Sequence, residues 1–361
     1  SAASDVYKRQ FEYFSIRSGA SVFDLTPMKK YLITGPDAED YLNRLVTRNI
    51  SKLKPGRVGY SIWCNDQGQA IDDCTIFHLS PGVYRLCSQE GQIDWLMLSA
   101  IGFDVSIVEE TYEIAALSFQ GPTTCAVLKA MGFTGIENLK PFGLTTFPYK
   151  GGEVMISRTG FTGDLGYELW VTNDLALPLW DHLFQVGENY AIRAIGSEAL
   201  DMARIEAGFI AADVDFMPAN ETVRTTHTRS PLELGLEWLV DFSKPNFTGR
   251  KALLKEHERG SRYKFLILDV EGNKPANDAF LYLGKNGKEI GTVTSAAWSP
   301  TCKTNVAFAS VDAQYGESSD LWAEVYYQRE MKWNRVWAKC SILDAPPWNP
   351  PRRRATPPAD F

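Results

Sequence analysis

Between Gly59 and Leu79 the sequence "GYSIWCNDQGQAIDDCTIFHL" reads as two strands joined by a turn at Asn65 to Gly68. That hairpin constrains the fold more than any other stretch. A doubly wound parallel sheet needs helical crossovers between its strands, and here hairpins keep interrupting them. Around it, strand and helix signals alternate. "SVFDLTPMKKYLITGPDAEDYLNRLVTRNI" (21–50) is strand, turn and helix, with Tyr41, Leu42, Leu45 and Val46 at helical spacing. "GVYRLCS" is a strand, after which Ser88 opens a helix through Ile93, Leu96 and Leu98. "EIAALSFQGPTTCAVLKAM" repeats the order of strand, Gly-Pro turn and helix, and "EVMISRTGFTGDLGYELWVT" is a strand, a glycine-punctuated turn and a strand. Helices are expected over 174–186 and from Ser197 to Gly208, and another begins near Arg250 and stops before Gly260. The pattern predicts α+β modules built on antiparallel sheets.

From about residue 261 the helical pattern stops. "YKFLILDV", "AFLYL", "EIGTVTSAAW", "NVAFASV", "LWAEVYY" and "NRVWAKCSIL" are strands separated by turns, with Asn286-Gly287 as a type I′ hairpin signal. These predict a C-terminal all-β barrel over 261–344. A chain of 361 residues exceeds one core, so the α+β part, 11–260, is divided into modules of roughly 11–110 and 111–260. The tail 345–361, "PPWNPPRRRATPPADF" from Pro346 on, is too Pro-rich to form a core and reads as solvated or wrapped on the surface. "SAASDVYKRQ" carries neither a signal-peptide apolar core nor transit-peptide amphipathicity. Residues 1–10 read as an adapter-derived, non-native leader.

Charge and cysteines bound the function. A net charge of −7 argues against a nucleic-acid partner. Six cysteines without a CxxC indicate reduced thiols and a cytoplasmic setting, or the matrix in a eukaryote. Four histidines at no ligand spacing predict no metal site, and no apolar run is long enough to span a bilayer.

The candidate chemistry lies in three stretches. Asp72 and Asp73 are adjacent on a strand, so they point to opposite faces and cannot act as an acid/base pair on one substrate. In "RTGFTGDLGYELWV" (158–171), Gly160, Gly163 and Gly166 match no phosphate-binding fingerprint and read as a tight turn. On the strand that follows, Glu168 and Trp170 share a face. A carboxylate beside an indole suits a flat heterocycle with an N–C–N edge, while a solvated edge-strand Glu is the bland alternative. In "ALDMARIEAGF", Arg204 is able to hold an anionic ligand, although an ion pair with Asp201 or Glu206 is the preferred reading. His227, in a polar loop, reads as solvated.

These stretches, in this order, resemble the tetrahydrofolate-dependent T-protein family of aminomethyltransferases and demethylases. The resemblance runs over roughly 12–343 and rests on "SVFDLTPM", "NISKLKPGRVGYSIWCNDQGQAIDD", "SFQGP", "GFTGDLGYEL", "RIEAG", "PLELGL", "FTGRKAL" and "SPTCKTNVA". It implies ferredoxin-like folate-binding modules followed by a C-terminal β-barrel, around a central folate channel. By resemblance, Asp73 matches the family's catalytic carboxylate and Glu168 its pterin-binding glutamate, with Trp170, Phe161 and Arg204 as further cofactor-binding candidates. Asp73, with Ile71, Thr75 and Phe77, is then expected to face the channel, and Asp72, with Ala70 and Cys74, to face away.

The departures are specific. Phe161 stands where the family has a Tyr, and Leu200 where it has an Arg. The family's "GNDID" segment is replaced by the longer "AADVDFMPANETVRTTHTRSP" (211–231). The expectation is a paralogue that passes one carbon from a small N-, O- or S-methyl or aminomethyl donor to tetrahydrofolate. The alternatives are the glycine-cleavage aminomethyltransferase, partnered by lipoyl H-protein, and a non-enzymatic folate-binding protein. The paralogue tied to iron–sulfur cluster maturation has a Cys in its "KGCYxGQE"-type loop, and none occurs here.

Overall fold

The computed structural model describes residues 2–224 and 226–358, with side chains from residue 8 onward. Ser1, Thr225 and residues 359–361, which belong to the leader, the 211–231 segment and the tail, lie outside the described residues.

Helix α1 (Ala2–Ser18) leads into strand β1 (Ala20–Asp24). The leader and the residues after it carried no expected element, yet 2–18 form one continuous helix. The first sheet has the order β3-β4-β5-β2-β6, built from β2 (Lys29–Thr34), β3 (Arg57–Cys64), β4 (Ala70–Ser80), β5 (Val83–Ser88) and β6 (Ser106–Glu109). It is antiparallel throughout. Helices α2 (Ala38–Leu45) and α3 (Ile93–Ser99) cover one face of it. In α2, Tyr41, Leu42 and Leu45 are buried, while Glu39 and Asp40 sit in the first turn, where the helix dipole favours them.

The second sheet takes β7 (Ile114–Gln120), β8 (Leu144–Tyr149), β9 (Gly152–Ser157), β10 (Gly166–Thr172) and β11 (Ile192–Ala194), in the order β11-β1-β7-β10-β9-β8. Strand β1 precedes the first sheet in sequence but belongs to the second, where it pairs parallel to β11 and antiparallel to β7. Helices α4 (Thr124–Ala130) and α5 (Asn173–Gly187) pack on its outer face over Leu117, Phe119, Tyr167 and Leu169. Helix α6 (Ser197–Glu206), an irregular stretch and helix α7 (Arg250–Arg259) then lead to the barrel. Helix α7 is bracketed by Gly249 at φ +85° and Gly260 at φ +88°, positive-φ positions that favour glycine.

The barrel is closed, as expected, in the order β12-β15-β14-β13-β16-β17. Its strands are β12 (Tyr263–Val270), β13 (Phe280–Leu283), β14 (Lys288–Ser299), β15 (Thr304–Asp312), β16 (Leu321–Arg329) and β17 (Lys332–Ile342). Alternate residues such as Leu266, Leu268, Ala307, Ala309 and Val311 fill it. The hairpin at Asn286-Gly287 is present with different turn chemistry. Gly284 and Asn286 take positive φ and Gly287 does not, so a four-residue connection replaces the two-residue type I′ turn.

Instead of hanging free, the tail returns to the α1 and β10 side of the molecule. Arg352 donates to both carboxylate oxygens of buried Asp164, at 2.6 and 2.9 Å, and to the Arg17 carbonyl at 2.8 Å. Arg158 donates to the Ala355 carbonyl at 2.5 Å, and the Arg17 guanidinium lies 4.6 Å from the Trp348 ring centroid. The short polar segments thus act as buried-charge partners, which a composition argument does not reveal.

Candidate active site

The two α+β sheets meet through a small apolar cluster of Val58, Phe77, Cys87, Ala116 and Trp170. The Phe77 ring stands edge-on to Trp170 with centroids 5.0 Å apart. Phe77 shares the alternating face of β4 with Thr75 and Asp73, and Trp170 shares a face of β10 with Glu168. The contact therefore turns the faces that carry Asp73 and Glu168 toward one another. Backbone bonds hold the approach, Val58 N–H to the Phe142 carbonyl at 2.8 Å and Leu144 N–H to the Gly56 carbonyl at 3.0 Å.

Asp73 is half-buried and accepts a hydrogen bond from Tyr60 Oη at 2.6 Å. Tyr60 lies diagonally across the hairpin, opposite Thr75, and its ring is 6.2 Å from that of Trp238. Burial pushes the Asp73 carboxyl above the usual range, the Tyr60 hydrogen bond opposes that, and the charge of Asp215 adds to it. The expected faces of β4 need one correction. Trp63 pairs with Asp72 but Cys64 pairs with Ala70, so Ile71 is the extra residue of a β-bulge. Ile71 consequently packs with Cys74 and Ile76 under the helices, and Ala70 joins Ile62 on the other side, the reverse of strict alternation.

Asp72 points under the helices and is fully buried. Its Oδ1 accepts the Asp73 N–H at 2.8 Å, and its Oδ2 has no partner among the described residues. Burial first, and the Asp73 charge second, push its carboxyl up to about 8. Its folded-state pKa thus exceeds the unfolded value of about 3.9, so the folded state holds this proton more tightly. That contribution is complete below the unfolded pKa and is lost as pH rises through about 8. Asp72→Asn is therefore expected to melt above the parent at alkaline pH, with the gap shrinking steadily toward about pH 4. A gap independent of pH in thermal melts contradicts this assignment.

Glu168 Oε2 accepts from Thr159 Oγ1 at 2.6 Å and from Ser157 Oγ at 3.5 Å. No donor among the described residues reaches Oε1. Burial raises the carboxyl's pKa, opposed by Thr159 and then Ser157. The loop that delivers Glu168 is held by Gln120, whose amide donates to the Thr159 and Tyr167 carbonyls at 3.1 Å each. A Cβ at 160 or 166 would lie 2.1 or 2.0 Å from Gln120 Oε1 and would push the Gln120 amide out of these bonds. A half-buried carboxylate with one oxygen tied down and one free fits the N–H and amino edge of a pterin.

Trp170 serves differently from the expectation. It is 2 % exposed, donates from Nε1 to Ser157 Oγ at 3.3 Å, and is covered by Phe77 and the Arg85 guanidinium. Packed in this way, it offers no ring face for stacking and supports the wall behind Glu168. Phe161 stands at the loop rim, stacked on Phe209 with centroids 5.6 Å apart. Arg204 is buried as an ion-pair residue, bonded to Asp201 at 2.7 Å and Asp215 at 2.6 Å, and also to Ser295 and the Phe209 carbonyl. Committed to those partners, it is not a ligand-binding cation, and Glu206 pairs with Arg17 instead.

Tyr60 and Trp238 join the site without having been singled out in the sequence. Counting cross-strand pairs back from the Asn65 turn exposes Tyr60, provided the bulge is known. Trp238 has no local signal, because it arrives from a separate segment packed on Ile62 and Ala70.

Comparison with known proteins adds an independent line. Residues 5–244 match the family described as GCVT N-terminal domain, and residues 264–336 match the glycine cleavage T-protein C-terminal barrel domain. The chain is 33 % identical over 304 residues to an aminomethyltransferase of Halothermothrix orenii, covering 83 % of this chain and 82 % of that protein. It is 32 % identical over 311 residues to one of Caldanaerobacter subterraneus subsp. tengcongensis, covering 85 % and 80 %. The crystal structure of the glycine cleavage system aminomethyltransferase T from Bartonella henselae superposes with a TM-score of 0.80 at 25 % identity, over 94 % of this chain and 89 % of that one.

Proposed function

Because the chain belongs to the glycine cleavage T-protein family of tetrahydrofolate-dependent aminomethyltransferases, we propose that it transfers an aminomethyl-borne carbon from a lipoyl carrier protein to tetrahydrofolate. The family makes it a one-carbon transferase with tetrahydrofolate as co-substrate, which removes the non-enzymatic alternative. The relatives' shared name favours the aminomethyl donor over the small methyl donor expected first. The observation that carries the reading is the Phe77–Trp170 contact, since Phe77 shares a strand face with Asp73 and Trp170 shares one with Glu168.

When bound, the folate supplies the nitrogen nucleophile that accepts the carbon. Glu168 Oε1 takes the N–H edge of the pterin, while Thr159 and Ser157 keep the carboxylate from turning. Asp73, anchored by Tyr60, takes a proton or stabilises positive charge that develops on the transferred carbon. Its raised pKa suits it to proton traffic near neutrality better than an ordinary carboxylate.

Two measurements test this. Glu168→Ala is expected to weaken tetrahydrofolate binding by about 30-fold, the loss of about 2 kcal/mol of charge-assisted hydrogen bonding. Unchanged affinity by calorimetry returns Glu168 to a solvated-wall role. The donor is identified by incubating the enzyme and tetrahydrofolate with aminomethyl-lipoyl carrier, sarcosine or dimethylsulfoniopropionate. The proposed reaction yields 5,10-methylene-tetrahydrofolate and ammonia from the carrier alone. Formation of 5-methyl-tetrahydrofolate from a small donor, without turnover of the carrier, refutes it.

A further inference from the structure

A cavity of about 530 Å³ is lined by residues 214–217, Thr226, His227 and Arg229 on one side and by residues of barrel strands β14 and β15 on the other. Its wall holds three charged groups that leave one another unpaired. Arg229 stacks 3.9 Å over the Tyr263 ring and donates from Nε to Ser310 Oγ at 2.8 Å. Its Nη1 donates to the Thr226 and Thr228 carbonyls, each at 2.8 Å. Among the described residues no acceptor reaches Nη2 and no carboxylate forms an ion pair with Arg229. Glu233, the carboxylate whose charge Arg229 feels, is engaged by Arg262 at 2.9 and 3.1 Å.

The same cavity is walled by Glu289 and Asp312, and neither makes an ion pair or side-chain hydrogen bond among the described residues. Lys288 is within electrostatic reach of Asp312, but its ammonium donates to Tyr315 Oη. Asp215, also in the wall, is fully committed to Arg204, Thr294, Ser295 and the Ala211 N–H.

A partly buried guanidinium held rigid by three hydrogen bonds and a ring, with one edge open to a cavity, is built for an anionic oxygen. Carboxylates left free in the same cavity exclude a polyanion and call for a cation on the ligand. We propose that this cavity binds a small zwitterion, with Arg229 Nη2 holding its carboxylate and Glu289 and Asp312 receiving its ammonium group. The proposal does not rest on the folate reading: the ligand groups named share no residue with Asp73, Glu168 or their hydrogen-bond partners, although Asp215 in the wall adds its charge at Asp73.

The test is calorimetry on the full chain with glycine, N-methylglycine and N,N-dimethylglycine, beside acetate and methylammonium as half-ligands. At least one zwitterion is expected to bind saturably, and each half-ligand at least about tenfold more weakly. Arg229→Gln is expected to weaken the zwitterion about tenfold or more, the loss of one charge-assisted contact. Arg229→Lys retains part of the binding, and Glu168→Ala leaves it unchanged. Asp312→Asn, at the cross-strand partner of Tyr263, gives an independent reading if Arg229→Gln melts early. No saturable binding by any zwitterion, acetate binding as tightly, or full affinity in Arg229→Gln or Asp312→Asn overturns the proposal. Loss of folate binding in Glu168→Ala with zwitterion binding intact separates the two sites.

Discussion

Asp73→Asn is expected to lower kcat by about 10² to 10⁴-fold, the range for losing a positioned general acid or base. Asparagine is nearly isosteric and its carbonyl oxygen still accepts from Tyr60 Oη, so the wall geometry survives. Tetrahydrofolate affinity should therefore stay within about threefold, because the pterin edge is held by Glu168 and binding is separable from chemistry. The pH dependence adds a second readout. Activity that needs ionised Asp73 falls as pH drops through a pKa that burial has raised. Tyr60→Phe removes a hydrogen bond that favours the ionised form, so the acidic limb of the profile should move to higher pH. A kcat unchanged in Asp73→Asn removes this carboxylate from the mechanism.

The largest stability effect is expected at Glu206, whose carboxylate is fully buried among Tyr13, Arg17 and Ser299. The Arg17 side chain, 3 % exposed, meets Glu206 at 2.5 Å and has Asp164 as its other carboxylate, at 3.5 Å. Glu206→Ala strands the guanidinium without its closer partner and is expected to cost about 3 to 5 kcal/mol. Against a typical total of about 5 to 15 kcal/mol, that approaches unfolding near body temperature. Glu206→Gln keeps the hydrogen-bonding shape and should cost less. A denaturation curve showing a loss below about 1 kcal/mol for the alanine variant contradicts the picture.

The sequence disclosed what local periodicity encodes. Alternation on β10 puts Glu168 and Trp170 on one face, and the structure buries Tyr167, Leu169 and Val171 of the other face in the core under α4 and α5. Alternation on β4 separated Asp72 from Asp73 correctly but misplaced Ala70 and Ile71. A β-bulge inserts one residue, and its position depends on the partner strand rather than on β4's own pattern. The strand pattern alone leaves Trp170 free to stack, because its covering residues, Phe77 and Arg85, come from the other sheet. Arg204 met Asp201 one turn away, as helical spacing allows, but Asp215 belongs to an irregular segment without period. What spacing conveys is which side chains share a face. What lies opposite that face is set by sheet order, and β1, the first strand of the chain, pairs between β7 and β11, which shows how little the two are linked.

The return of the tail bears on how the protein is made. A chain leaving the ribosome from its N-terminus can pair both α+β sheets while residues 348–355 are still untranslated. Until they emerge, Asp164 lacks Arg352, a partner 188 positions away, and Arg158 lacks the Ala355 carbonyl, 197 positions away. The loop bearing Phe161 therefore reaches its final setting after the barrel has closed. Nascent protein stalled before that point should carry a complete pair of sheets and an unfinished rim, and a protease that trims the tail of the mature enzyme would return it to that earlier stage.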